Sequence, residues 1–392
     1  MYAHTLTHNN SRSHTHSHEP VTASENTIFI AIFGTGGVSK AFLTQLSHLQ
    51  KSLNNPKRPV DLRLILLRKS TAQILTERYA GLDPATAIQQ LEAQGTRKPY
   101  LEFSEILEFL EQAPAKVVVV DNTASLEVGK QYPRLLKRGI SVVTPNKKAF
   151  SDTAKLWTSI FAAAEEGSAH VFHEATVGAG LPILTTLHDL LDTGDEITKI
   201  EGVFSGTMSF LFNAFMPLGG GGGKFSAEVA KAKELGYTEP DPRDDLNGLD
   251  VARKLTILAR VVGLEIKGPT SFPVQSLIPS ALESCGSGEE FMEKLPEHDD
   301  SMVEVKEAAA KEGKVLRYVG SISVADKKVS VGLEKFAPEH PIAALKGSDN
   351  IVNFYTKRYG NNPLIVQGAG AGGDVTAMGV SADLLRVVRL LR

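Results

Sequence analysis

Ile28-Phe29-Ile30-Ala31-Ile32-Phe33-Gly34-Thr35-Gly36-Gly37-Val38-Ser39 is the stretch on which the fold turns. Its unbroken apolar run is short for a helix and reads as a strand buried on both faces. The glycines interrupt that run, after which Val38, Phe42, Leu46 and Leu49 line one face of a helix. Gly34-x-Gly36-x-x-Ser39 is then a dinucleotide fingerprint with serine in the third glycine position. The first glycine permits a tight turn, and the second lets backbone meet a pyrophosphate at a helix N-terminus. The third position serves helix–strand packing, where serine is small enough to pass. Gly34, Thr35, Gly36, Gly37 and Val38 are therefore expected at a cofactor.

Further buried strands are expected at 62–67, 117–120 and 140–143, with helical stretches between them. Apolar strands alternating with helices predict a parallel sheet covered on both faces, with ligands at the carboxyl ends of the strands. Those ends carry Arg68-Lys69, Asp121-Asn122-Thr123 and Thr144-Pro145-Asn146-Lys147. An acidic residue after the second strand would bind a ribose 2′-hydroxyl. Arg68 and Lys69 instead offer positive charge to a 2′-phosphate, which leans the expectation from NAD toward NADP.

After Lys147 the pattern changes. A strand runs into the glycine-bearing turn of HVFHEATVGAGLP (170–182) and a helix; a strand at 197–204 and an apolar helix at 206–215 follow. Strands near 315–324 and 329–334 and extended chain near 351–357 suggest a mixed sheet outside the first domain. The chain ends in Gly368-Ala369-Gly370-Ala371-Gly372-Gly373 and an amphipathic helix, read as returning to cover the cofactor domain, with Gly370 beside the cofactor.

The second stretch of consequence is GYTEPDPRDDLNGLDVARK, residues 236–254. Val251, Leu255, Leu258 and Val262 form an apolar stripe at the helical period. Asp250 and Lys254 lie one turn apart at its edge, whereas Arg253 and Arg260 point further away. An acid and an amine at the rim of a buried face, preceded by a turn rich in carboxylates, suit a small zwitterionic substrate. Asp241, Arg243 and Asp244 can equally cap or pair around the turn.

Composition narrows the classes. With 392 residues the chain has room for roughly two or three domains. A net charge of -3 without a basic stripe argues against a nucleic-acid partner. No apolar run reaches the ~18 residues of a membrane span. One cysteine, Cys285, excludes an internal disulfide and fits a reducing, cytoplasmic setting. Residues 1–25, rich in His, Ser, Thr and Asn, lack the apolar stretch of a signal peptide and read as a disordered tail. His170 and His173 read as packed residues, since no further His or Cys spacing supports a transition metal.

The 236–254 motif, Thr-Pro-Asn-Lys-Lys at 144–148, HEATVGAG at 173–180 and the terminal GAGAGG closely resemble homoserine dehydrogenase, in its short fungal monofunctional form. The likeness covers nearly everything from Ile28 onward and departs at Ser39, the tail and the glycine loop 219–223. It implies an α/β fold with an N-terminal Rossmann-type nucleotide-binding domain and an α+β catalytic and dimerisation region holding a mixed β-sheet. Residues 26–172, completed by 366–392, would form the first domain. Residues 183–318 would form the substrate-binding region, and 173–182 with 319–365 the dimerisation region of a homodimer. The implied reaction is the NAD(P)H-linked interconversion of L-aspartate 4-semialdehyde and L-homoserine, toward threonine, methionine and isoleucine.

Roles carry over by motif. Lys254 matches the catalytic lysine and Asp250 the aspartate before it. Glu239 and Asp245 match acids that hold the substrate amino group, and Gly206, Thr207 and Tyr237 match substrate-site positions. Lys147 matches a lysine at the nicotinamide end, while Asn122 and Thr123 match cofactor contacts. Glu174, with main-chain oxygens of Val177, Ala179 and Leu181, resembles a site for a monovalent cation, Na+ or K+.

Reducing an aldehyde needs hydride on carbon and a proton for the developing alkoxide. Lys254 or Lys147 can supply the proton or the positive charge. Two lysines converging on one site would lower each other's pKa, so either can be the acid. Aspartate-semialdehyde dehydrogenase is the rival enzyme, but it needs an activated thiol, and Cys285 has no evident activating partner. A catalytically silent dinucleotide-binding regulator is the other alternative. It would have no use for Lys147, Glu239, Asp250 and Lys254 together.

Overall fold

A computed structural model describes residues 23–53, 59–94 and 100–392. The expectation for the histidine-rich tail lies outside the described residues except at Ala23, Ser24 and Glu25. β1 (Thr27–Phe33) is buried along its whole length. Its alternate side chains enter two different cores: Phe29, Ala31 and Phe33 on one face, Ile28, Ile30 and Ile32 on the other. Double coverage explains why the strand is continuously apolar. Each fully buried Ile contributes on the order of 2 kcal/mol relative to exposure.

Around β1 are β2 (Asp61–Lys69), β3 (Ala72–Leu75), β4 (Lys116–Asp121), β5 (Ser141–Val143) and β6 (Val171–Phe172), in the order β3-β2-β1-β4-β5-β6. All pairings are parallel except β2 with β3, which a two-residue turn joins as a hairpin. Strand order reverses at β1 and β4, opening a crevice at their carboxyl ends. One face of this sheet is covered by helix Gly37–Leu53 and by the last helix, Gly373–Leu390, through Phe42, Leu46, Ala377, Val380, Leu384 and Val387.

The second sheet contains β7 (Ile197–Val203), β8 (Val315–Ser323), β9 (Lys328–Phe336), β10 (Asp349–Thr356) and β11 (Leu364–Ala369), in the order β11-β10-β7-β8-β9. The α/β class with a separate α+β region holds, but two details of the expectation change. The second sheet, expected to be mixed, is antiparallel in every strand pairing, and only an isolated bridge between Val274 and Val331 is parallel. Its strands β8–β9 and β10–β11 are sequential neighbours, which pair antiparallel without a crossover. Residues 366–369, assigned from the sequence to the first domain, run as the end of β11, because Gly368 and Ala369 still pair with Asn350 and Asp349. Among the described residues, no helix is long and apolar enough to cross a membrane.

Candidate active site

The glycine turn is shaped by its neighbours. Gly34 has φ +96°, and its amide donates to the Arg68 carbonyl at 2.8 Å. A Cβ there would lie 3.1 Å from the Asn122 carbonyl, so both the left-handed backbone and the close approach require glycine. Ser39, in the third glycine position, is fully buried and donates its hydroxyl to the Gly34 carbonyl at 2.8 Å. The substitution therefore ties the turn to the helix instead of loosening it.

Beyond the turn lies a cavity of roughly 690 Å³, lined by Gly34, Gly36, Arg68, Lys69, Asn122 and Thr123 among others. Among the described residues, both side-chain amide atoms of Asn122 are buried there without a partner, as is Nη1 of Arg68. Buried polar groups left unpaired are costly, and a polar ligand would satisfy them. Tyr100, which sequence reasoning missed, also lines the cavity: its ring covers the Arg68 guanidinium at 4.7 Å, and its hydroxyl accepts from Arg68 and donates to the Lys69 carbonyl at 3.0 Å. Thr35, Gly37, Val38, Lys147 and Gly370 do not line it. Thr35 lies within the turn, while Gly37 and Val38 start the helix that follows. Gly370 leads from β11 toward Gly373, which packs on the Gly37 carbonyl.

Under this crevice Asp121 is fully buried. It accepts from the Tyr132 hydroxyl at 2.5 Å, the Asn146 amide at 3.1 Å and the Thr123 N–H at 2.9 Å. Burial raises its pKa against these hydrogen bonds. The network fixes the ends of β4 and β5, and Asn146 in turn caps helix Lys147–Ser151.

Lys147, the first residue of that short helix, reaches across to helix Leu249–Val261. Its Nζ lies 2.7 Å from Asp250 Oδ1, and Lys254 Nζ lies 2.7 Å from Asp250 Oδ2. Lys254 is 6% exposed and also donates to the Phe204 carbonyl at 2.6 Å. An ammonium has three donors, so one remains for a substrate oxygen. Burial lowers the pKa of Lys254 and Lys147 adds to that, whereas Asp250 opposes both. Burial alone would raise the pKa of Asp250, but the two ammonium groups reverse it and hold the carboxyl well below the usual carboxylate range.

The acidic turn divides into two faces. Asp245 points inward: one oxygen is 2.8 Å from the Thr207 hydroxyl, and the other accepts the Glu239 N–H at 2.8 Å. The Thr207 hydroxyl oxygen also lies 2.7 Å from the Tyr237 carbonyl, and the Tyr237 ring stacks on Phe210. Gly206 begins the helix that carries Thr207, while the Glu239 side chain is exposed. Burial raises the pKa of Asp245. Asp241 points outward, paired with Arg243, whose guanidinium also donates to the Cys285 carbonyl. A second cavity, roughly 630 Å³, lies on that outer face with Asp241 and Arg243 and contains neither lysine.

The carboxylate of Glu174 is spent as a cap. It accepts Leu184 N–H at 2.7 Å, Thr185 N–H at 2.9 Å and the Thr185 hydroxyl, at the start of helix Ile183–Asp192. The carbonyls of Val177 and Ala179 accept no hydrogen bond among the described residues, and that of Leu181 accepts Ile183 N–H. No cluster of His, Cys, Asp and Glu able to hold a metal ion occurs among the described residues. His173 packs face to face on Phe150 at 4.0 Å, and burial pushes its pKa down to about 3.

A family model described as homoserine dehydrogenase matches residues 182–385, and one described as homoserine dehydrogenase, NAD binding domain, matches residues 34–174. The homoserine dehydrogenase of Emericella nidulans is 55% identical over 377 residues, covering 93% of this chain and 99% of the relative. A crystal structure of a Candida auris protein of unknown function is 44% identical with a TM-score of 0.85, covering 93% of this chain and 99% of that one. A hyperthermophilic archaeal homoserine dehydrogenase solved in complex with NADPH is 25% identical with a TM-score of 0.69, covering 93% and 100% of the two chains.

Proposed function

The chain belongs to the homoserine dehydrogenase family of NAD(P)-dependent oxidoreductases, in its fungal form, and from that premise we propose how its residues carry out the reaction. One observation carries the proposal: Asp250 bridges two lysines, one from the nucleotide-binding side and one from the substrate helix. L-Homoserine lies with its hydroxyl toward Lys254 and its α-ammonium toward Asp245. The nicotinamide, when bound, supplies the hydride acceptor. Lys254, as the neutral amine, takes the hydroxyl proton during oxidation and returns it when L-aspartate 4-semialdehyde is reduced. Lys147 adds positive charge where the alkoxide develops, and Asp250 keeps both ammonium groups in place. Tyr237, Glu239, Thr207 and Gly206 frame the amino-acid end of the substrate.

The Cys285 carbonyl holds Arg243 on the outer face of the acidic turn, apart from the Lys147–Asp250–Lys254 cluster, and this placement favours the lysine-based chemistry over the rival aspartate-semialdehyde dehydrogenase reading. A silent regulator would have no need of a buried lysine with a lowered pKa. Following the absorbance of reduced nicotinamide with L-homoserine at alkaline pH tests the activity. Turnover is expected, and none with either NAD or NADP would overturn it.

NADP is the favoured cofactor, because Arg68 Nη1 is buried without a partner among the described residues while Tyr100 holds the guanidinium plane. In the same assay Arg68→Ala is expected to raise the KM for NADP about thirtyfold and that for NAD less than about threefold. Equal losses for both cofactors would remove Arg68 from 2′-phosphate binding. A monovalent cation would fall to the main-chain oxygens of Val177, Ala179 and Leu181, with the Glu174 carboxylate left as a helix cap. The same reading places the enzyme in the cytoplasm, in threonine, methionine and isoleucine synthesis. It makes the protein a homodimer through the second sheet.

A further inference from the structure

Arg260 departs from its sequence expectation. It lies in the last turn of helix Leu249–Val261, where helical spacing points it away from the apolar stripe, yet it is only 8% exposed. Among the described residues, every hydrogen bond of its guanidinium goes to a backbone carbonyl. Nη1 donates to Phe150 at 2.7 Å, and Nη2 donates to Asp152 at 2.7 Å, Ile266 at 2.9 Å and Lys267 at 3.0 Å. Nε donates to Ile266 at 3.1 Å. The guanidinium also lies over the Trp157 ring at 5.8 Å.

A buried cation hydrogen-bonded only to carbonyls is an expensive way to fill space. Its worth lies in what those carbonyls belong to. Phe150 and Asp152 are the C-terminal end of helix Lys147–Ser151, which is a single turn long and starts with Lys147. A helix so short has little stability of its own. Its start is held by Asn146, and its two ends are tied by Ser151, whose hydroxyl donates to the Lys147 carbonyl at 2.8 Å. The Phe150 ring is packed against Tyr132, Trp157 and His173. Arg260 closes the far end, with Arg253 approaching Ser151 Oγ at 3.4 Å. Arg260 therefore joins the element that carries Lys147 to the helix that carries Asp250 and Lys254.

We propose that Arg260 is a positioning residue for catalysis: through the carbonyls of Phe150 and Asp152 it holds Lys147 in register with Asp250 and Lys254. The proposal rests on the reading that Lys147 acts in the reaction. The planar fork reaches four carbonyls from three nitrogens, more than the three donors on the single nitrogen of a lysine can serve. An error of about 1 Å in the placement of a reacting group costs on the order of a hundredfold in rate.

The test is a double-mutant cycle on the full chain, with Lys147→Met, Arg260→Met, Arg260→Lys and the pair Lys147→Met/Arg260→Met. For Arg260→Met the expected result is a fall in kcat of about a hundredfold, with the KM values for homoserine and cofactor within about threefold of the parent. In the Lys147→Met background, loss of Arg260 is expected to cost less than about threefold, because the group it positions is already gone. Arg260→Lys is expected to recover part of kcat, and it replaces Arg260→Met in the cycle should that variant not fold. Additive losses, or a loss confined to thermal stability, would overturn the inference. An unchanged kcat for Lys147→Met alone would overturn the assignment of Lys147 in the first place, so the two failures are told apart.

Discussion

Replacing Lys254 with methionine is expected to lower kcat for homoserine oxidation by about a thousandfold, the range for losing a positioned general base. The KM values should change far less, because Lys254 Nζ already spends two of its donors on Asp250 and the Phe204 carbonyl. What disappears is the proton acceptor at the hydroxyl. The parent enzyme's pH profile is part of the same prediction. Oxidation needs the neutral amine, so kcat should rise with pH and level off above the pKa of Lys254. That inflection should fall below the ordinary lysine value of 10.5, because burial and the Lys147 charge disfavour the ammonium form. Reduction of the aldehyde needs the ammonium and should fall through the same inflection. Asp250→Asn removes the group that opposes the shift and should move the inflection to still lower pH. An inflection unmoved by Asp250→Asn, or a methionine variant with parental kcat, would remove Lys254 from proton transfer.

Much of this arrangement was legible because its signals are local. An apolar run followed by Gly34-x-Gly36 specifies a strand, a turn and a helix within a dozen residues, and the structure builds β1 and helix Gly37–Leu53 there. Lys254 could be placed at the edge of a buried stripe by counting turns. β3 escaped notice because four residues after a two-residue turn carry almost no periodicity. β11 escaped because its burial is only partial and its end merges with the terminal glycine run. Other contacts are long-range and leave no mark on spacing. Tyr100 meets Arg68 from 32 positions away, and Arg260 reaches a carbonyl 110 positions away. The Phe204 acceptor is main chain, which any residue supplies. Counting turns also misled for Arg260, because its buried partners come from another element and make a polar side chain acceptable inside the protein.

Asp245→Asn is expected to raise the KM for L-homoserine by about a hundredfold while kcat at saturation and cofactor affinity stay within about threefold. The Asp245 carboxylate is partly buried and accepts from Thr207 and the Glu239 N–H, and no lysine or arginine pairs with it among the described residues. A desolvated anion with only neutral donors is poised for a cation, and the substrate's α-ammonium supplies one. Asparagine keeps the shape, with its oxygen accepting the Glu239 N–H and its amide NH2 donating to the Thr207 hydroxyl oxygen, but removes the charge, so the loss reports on the ion pair rather than on packing. An alcohol of the same length without an amino group is the control. The parent enzyme should discriminate strongly against it, because binding it leaves Asp245 buried and unpaired, while the Asn variant should discriminate far less. Lys254 and Asp245 thereby predict opposite signatures in one assay: the first acts on kcat and its pH profile, the second on KM and on the choice of substrate. Equal discrimination by parent and variant would place the ammonium elsewhere, with Glu239 the next carboxylate to test.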